Sequence, residues 1–151
     1  MEIRFYHLQK QTLDLALPLL LSKIGQTGKK VVVRVADKSA LGRLDQHLWT
    51  YDPESFLPHG CGKDPFPEAQ PVWLDHEDNN PASAEILLSA GVPDLESAHE
   101  YEMKCLMFED FNDSTVQAAR ELWKHFQSVD GFRLTYWQQS MQGKWEKKAS
   151  S

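Results

Sequence analysis

Lys30-Val31-Val32-Val33-Arg34-Val35-Ala36 is the stretch on which the fold turns. Four valines in seven residues suit a strand in the middle of a sheet, and a run that is apolar on both faces is the mark of a parallel sheet covered by helices. A helix is predicted on each side of it. Upstream, Leu13, Leu17, Leu20, Leu21 and Ile24 recur near helical spacing behind Thr12, a candidate cap, and Gly25 and Gly28 are the stop. Pro18 predicts either a kink or a helix that starts just before it, because proline lacks the N–H that a helix interior needs. Downstream, Lys38 to about Trp49 places Leu41, Leu44 and Leu48 on one face.

Further out the pattern repeats. Ile3 to Leu8 reads as a first strand, Pro71 to Leu74 as a third, Ala84 to Ala90 as a fourth and Met103 to Phe108 as a fifth. Ser114 opens the most strongly amphipathic helix, with Val116, Ala119, Leu122, Trp123 and Phe126 on its apolar side and Gly131 at its end. Phe132 to Trp137 adds a last extended piece, and Ser140 onward reads as a frayed tail. The order predicts an α/β fold: a single Rossmann-like three-layer domain over residues 1–139, with a mostly parallel sheet of about five strands, and a flexible C-terminal tail over 140–151.

The composition fits an ordinary globular chain: 151 residues, 41% hydrophobic and 25% charged. A formal charge of −6 argues against broad nucleic-acid binding, which is dominated by cationic contacts to phosphate. Two cysteines, Cys61 and Cys105, are too few for a disulfide framework, and Met1-Glu2-Ile3-Arg4 leads into alternating residues rather than a signal peptide. The longest apolar block, Leu13 to Leu21, is far short of the roughly 20 residues of a spanning helix. A cytoplasmic protein with no membrane span is expected.

Little in the chain points to catalysis. Gly25-Gln26-Thr27-Gly28-Lys29-Lys30 superficially matches a phosphate loop, but it joins a helix to a strand, whereas the helix N-terminus must face the anion. His59, Cys61, Asp75 and His76 match no paired-ligand spacing for zinc. Neither a base nor an electropositive pocket is visible for Cys61, and Ser55 and Ser89 lie in no nucleophile elbow. No metal, no cofactor and no catalytic residue is expected.

Two places carry binding chemistry instead. The first is Leu48 to Gly60, where Trp49, Tyr51, Phe56 and Leu57 crowd onto a loop stiffened by Pro53 and Pro58. These rings either cap the domain's own core or present an apolar patch to a partner protein. Asp52 to Gln70 as a whole reads as a long loop, of a length that is usually functional or disordered. The second place is the last helix. Arg120 and Lys124 are four apart and so share a face, with Trp123 beside them; Lys104 is near only if the topology brings it there. A solvated helix face accounts for such a pair, and so does an acidic peptide with an apolar anchor.

The segment Trp49-Thr50-Tyr51-Asp52-Pro53-Glu54-Ser55-Phe56-Leu57-Pro58-His59 resembles one found in the chi subunit of bacterial DNA polymerase III, an accessory protein of the clamp loader. The similarity runs from Phe5-Tyr6 through Gly28-Lys29-Lys30-Val31 and Gln70-Pro71-Val72 to Asp130-Gly131-Phe132. It implies a non-enzymatic adaptor that holds the acidic C-terminal tail of single-stranded DNA-binding protein and meets the psi subunit on a separate face. By position, Arg120, Trp123 and Lys124 match the helix that receives the tail. Trp49 and Phe56, with Leu57 and Pro58 beside them, match the surface for psi or for another clamp-loader or helicase partner. Val116 and Gln127 stand where other members carry further cations. The alternative from another class is a small α/β enzyme or nucleotide-binding domain that uses the 52–70 loop as a lid.

Overall fold

In the computed structural model the described residues are 1–9, 11–50, 58–62, 64–140 and 144–150. Among them eight strands form one sheet: β1 Glu2–Leu8, β2 Val31–Arg34, β3 Gly60–Cys61, β4 Val72–Asp75, β5 Ile86–Ala90, β6 Met103–Glu109, β7 Arg133–Gln139 and β8 Trp145–Ser150. The order across the sheet is β3-β4-β2-β5-β6-β1-β7-β8. Every pairing is parallel except β7 with β8. Three helices cover it: α1 Leu13–Gln26, α2 Lys38–Thr50 and α3 Asp113–Gln127. The architecture is α/β and Rossmann-like, with a largely parallel sheet as expected, but it has eight strands rather than about five.

The valine run behaves as its composition demands. All four residues of β2 are buried, and the strand sits between β4 and β5. Val31 and Val33 face one side, where Ala16, Leu17, Leu21 and Ile24 of α1 and Leu44 and Leu48 of α2 complete the core. Val32 faces the other side with Trp73 and Leu87, covered by Ala84 and Tyr101 from the chain between β4 and β6 rather than by a helix. Further along that second side, α3 lays Val116, Ala119, Leu122, Trp123 and Phe126 over Ile3, Phe5, Leu106, Phe108 and Leu134.

Pro18 lies inside α1, which starts at Leu13 rather than just before the proline. A proline there leaves the carbonyl four residues earlier without its helical donor. That carbonyl belongs to Asp14, and the His47 ring of α2 donates to it at 2.6 Å. Thr12 holds the N-cap position of α1 but its side chain makes no capping bond; Glu109 Oε2 accepts from Leu13 N at 3.1 Å instead. Gly28 takes the left-handed conformation at the helix end, φ +80°, which favours glycine. At α3 the cap is Asn112, whose side chain accepts from Thr115 N, and the helix begins just before Ser114.

Two expectations are corrected. The 52–70 stretch is not loop throughout, since its described part contains β3 on the edge of β4 and a short 3₁₀ turn at Pro67–Ala69. Residues 145–150 are not a frayed tail: they pair with β7 as β8, and Trp145 packs edge-on against Tyr6 at 5.3 Å. A polar-looking C-terminus conceals this because one aromatic anchor and backbone hydrogen bonds to an open sheet edge suffice to hold a strand.

Candidate functional site

The surface with the most specific chemistry is a cleft of about 410 Å³ walled by Gln117, Arg120, Trp123, Lys124, Tyr136 and Ala149. Such a volume lies within the usual range of ligand pockets. Three elements build it. α3 supplies one wall because Gln117, Arg120 and Lys124 recur at helical spacing on its outer side, while Val116 and Ala119 are buried on its inner one. β7 supplies Tyr136 and β8 supplies Ala149, which is directly opposite Tyr136 in the ladder.

Aromatic packing fixes the floor. Trp123 meets Phe5 edge-on at 5.5 Å and Tyr136 at 5.7 Å, and Tyr136 stacks on Phe5 at 6.1 Å. Each ring holds the next, so the cleft is formed before any ligand arrives. Burial pushes the Tyr136 phenol up to about 12, with Arg120 pulling against that rise and Asp110 adding to it. Arg120 and Lys124 are exposed and, among the described residues, neither takes part in an ion pair. Lys124 and His125, in the last turn, also suit the negative end of the helix dipole. Arg120 lies a full turn earlier and gains little from it.

The structure thus brings Arg120, Trp123 and Lys124 together as the sequence predicted. It adds Gln117, Tyr136 and Ala149, which sequence reasoning missed. The helical spacing of Gln117 from Arg120 and Lys124 was a signal; the two strand residues had none, because only the sheet pairing brings them to α3. Lys104 is elsewhere, its Nζ donating to Leu95 O at 2.6 Å.

The second predicted surface is described only in part. Trp49, at the end of α2, is 52% exposed, and its ring lies 4.6 Å from that of His59. It therefore does not belong to the buried core. Pro58 is exposed, while Phe56 and Leu57 lie outside the described residues, as does Tyr51. Phe66, which the sequence did not single out, is 71% exposed farther along the same segment.

Among the described residues no group of three or more His, Cys, Asp or Glu is arranged to hold a metal ion. His59 pairs with Asp45 at 3.0 Å. The Cys61 thiol is pushed up to about 11, by burial first and then by Asp45 and Asp64, so little reactive thiolate exists near neutral pH. No described helix is long and apolar enough to cross a membrane.

A polar centre also went unrecognised in the sequence. Arg34, 7% exposed, donates to Asp78 Oδ1 at 3.0 Å and to Asp94 O at 3.1 Å. Asp78 in turn accepts from Ser97 Oγ at 2.6 Å and Ala98 N at 2.7 Å. Against the opposing effect of burial, those bonds and the Arg34 charge hold its carboxyl below the usual range. These contacts tie the long segment between β5 and β6, and the turn after β4, onto the sheet.

Fold and cleft together define an α/β protein that presents a groove with two exposed cations beside an aromatic floor. A family model described as DNA polymerase III chi subunit, HolC, matches residues 1–135, and the chain belongs to that family. It is 30% identical over 94 residues to a probable DNA polymerase III subunit chi of Rickettsia prowazekii (strain Madrid E), covering 62% of this chain and 57% of that protein. It is 30% identical over 112 residues to DNA polymerase III subunit chi of Escherichia coli (strain K12), covering 72% and 74% respectively. Against the Haemophilus influenzae subunit chi (strain ATCC 51907 / DSM 11121 / KW20 / Rd) it is 25% identical over 119 residues, covering 77% and 80%. Tyr136 and Ala149 lie beyond the family match.

Proposed function

We propose that this protein is a non-catalytic adaptor of DNA replication in the cytoplasm, joining the DNA polymerase III clamp-loader complex to single-stranded DNA-binding protein by holding the latter's acidic C-terminal tail. The observation that carries this reading is the cleft: two cations without ion-pair partners among the described residues, set beside a rigid aromatic floor on a chain of net charge −6. An apolar ring seated on Trp123 and Tyr136 leaves the terminal and side-chain carboxylates of such a tail within reach of Arg120 and Lys124. The surface around Trp49, with Phe56, Leu57 and Pro58, is the proposed contact for a psi subunit or an equivalent clamp-loader or helicase partner.

The test is calorimetric titration of an acidic peptide ending in phenylalanine, at low and high salt, against the wild type and Arg120→Glu/Lys124→Glu. The double reversal is expected to weaken binding by about 2–3 kcal/mol or more, and added salt to weaken wild-type binding, since exposed charges are screened. Equal affinity in both proteins would place the tail elsewhere. Thermal stabilisation by a nucleotide and not by the peptide would favour instead the reading of the 52–70 loop as a lid.

A further inference from the structure

Behind the cleft, three side chains from three separate segments form a line of short hydrogen bonds. The Tyr136 hydroxyl is 2.7 Å from His7 Nδ1, and His7 Nε2 is 2.7 Å from Asp110 Oδ1. His7 is 4% exposed, with the Phe108 ring stacked on it at 4.7 Å and Tyr136 edge-on at 5.9 Å. The Asp110 side chain is half exposed.

The chemistry of the three groups fixes which atom donates. An ionised carboxylate only accepts, so His7 Nε2 carries the hydrogen that points at Asp110. In a neutral imidazole Nδ1 is then an acceptor, and the Tyr136 hydroxyl donates inward to it. What Tyr136 offers the cleft in that state is lone pairs, the wrong polarity for a carboxylate. Protonation of the ring reverses this, because both nitrogens then donate. The Tyr136 oxygen accepts from Nδ1–H, and its own proton turns outward, beside Arg120.

We propose that His7 and Asp110 set the hydrogen-bonding role of the Tyr136 hydroxyl, so that a carboxylate-bearing tail enters the cleft together with one proton taken up at His7. This rests on the reading of the cleft as a tail site given above. Tyr136 touches the ligand, and His7 and Asp110 are positioning residues. The charged and titratable groups facing His7 are Asp110 from the turn after β6, Tyr136 from β7 and, across Tyr136, Arg120 from α3. Asp110 supplies the countercharge for a buried imidazolium.

The experiment is calorimetric titration of the full chain with the acidic phenylalanine-terminated peptide at about pH 6 and pH 8, the range in which histidine changes charge, in buffers of different ionisation heat. The wild type is expected to take up a measurable fraction of a proton per peptide near neutrality and to bind roughly five-fold or more tightly at the lower pH. Tyr136→Phe keeps the ring that packs on Phe5 and Trp123, and is expected to bind with no proton uptake and little pH dependence. His125→Gln removes the exposed imidazole next to Lys124 and is expected to leave the uptake unchanged. Binding without uptake in the wild type, equal uptake in Tyr136→Phe, or a His7 ring whose ¹⁵N shifts stay those of the neutral form in the complex would overturn the proposal while leaving the tail site standing. Absence of binding at both pH values would overturn both.

Discussion

Arg34 and the pair Arg120/Lys124 show two opposite uses of cationic side chains in one small protein. Arg34 is buried, held by Asp78 and by the Asp94 carbonyl, and Asp78 is itself hydrogen-bonded to Ser97 and Ala98. Its charge is consumed by the fold. Arg120 and Lys124 stand exposed beside an aromatic floor, and among the described residues neither has an acidic partner. Burying a charge is costly unless it is paired, so a cation that the fold requires arrives with its counterion. On the tail-site reading proposed above, one that serves an outside ligand is left unneutralised at the surface. On that reading the difference separates structural from recognition chemistry.

The comparison predicts different losses at the two places. The largest is for Asp78→Ala, which strips the buried Arg34 of its closest carboxylate and frees Ser97 and Ala98. It is expected to cost about 3 kcal/mol of stability in urea denaturation, with tail affinity unchanged within error. A cost below about 1 kcal/mol would make Arg34 a surface cation in energetic terms and dissolve the contrast.

Next comes Trp123→Ala, which joins the two categories because the ring both seals the apolar side of α3 and floors the cleft. It is expected to lose about 2 kcal/mol of stability and most peptide binding. Arg120→Ala, by contrast, is expected to lose only affinity, with stability within about 0.5 kcal/mol of wild type. Parallel losses in both measurements for Arg120→Ala would mean that Arg120 too is part of the fold.

A smaller effect is expected with acid. Asp78 has a folded-state pKa below its unfolded value, so its contribution is complete above the unfolded value and is lost as pH falls through the folded one. Melting temperature should therefore fall below about pH 4, and less steeply in Asp78→Asn than in wild type. Identical acid limbs would remove Asp78 from the account.

Trp49→Ala is expected to act on the second surface alone. Because the side chain is half exposed, stability should shift by no more than about 1 kcal/mol, while capture of a clamp-loader or helicase partner is lost. Marked unfolding seen by circular dichroism would return Trp49 to the core.

Local chemistry made much of this legible in advance. The valine run, the leucine spacing of α1 and α2 and the apolar stripe of α3 each report their own burial, because a side chain's partition from water is read in the residue itself. For the same reason Arg120, Trp123 and Lys124, within five consecutive positions of one helix, were visible as a group, and the chi-like segment from Trp49 to His59 could be recognised. The tertiary structure alone decided the rest. Asp14's freed carbonyl found His47, Trp145 anchored β8 on an edge that looked open, and Asp78 and the Asp94 carbonyl converged on Arg34. His7, Asp110 and Tyr136, separated by as many as 129 positions, met behind the cleft. Hydrogen bonds and ring contacts act over a few ångströms and carry no trace along the chain of the distant partner that satisfies them, so such sites emerge only when the sheet sets its strand order.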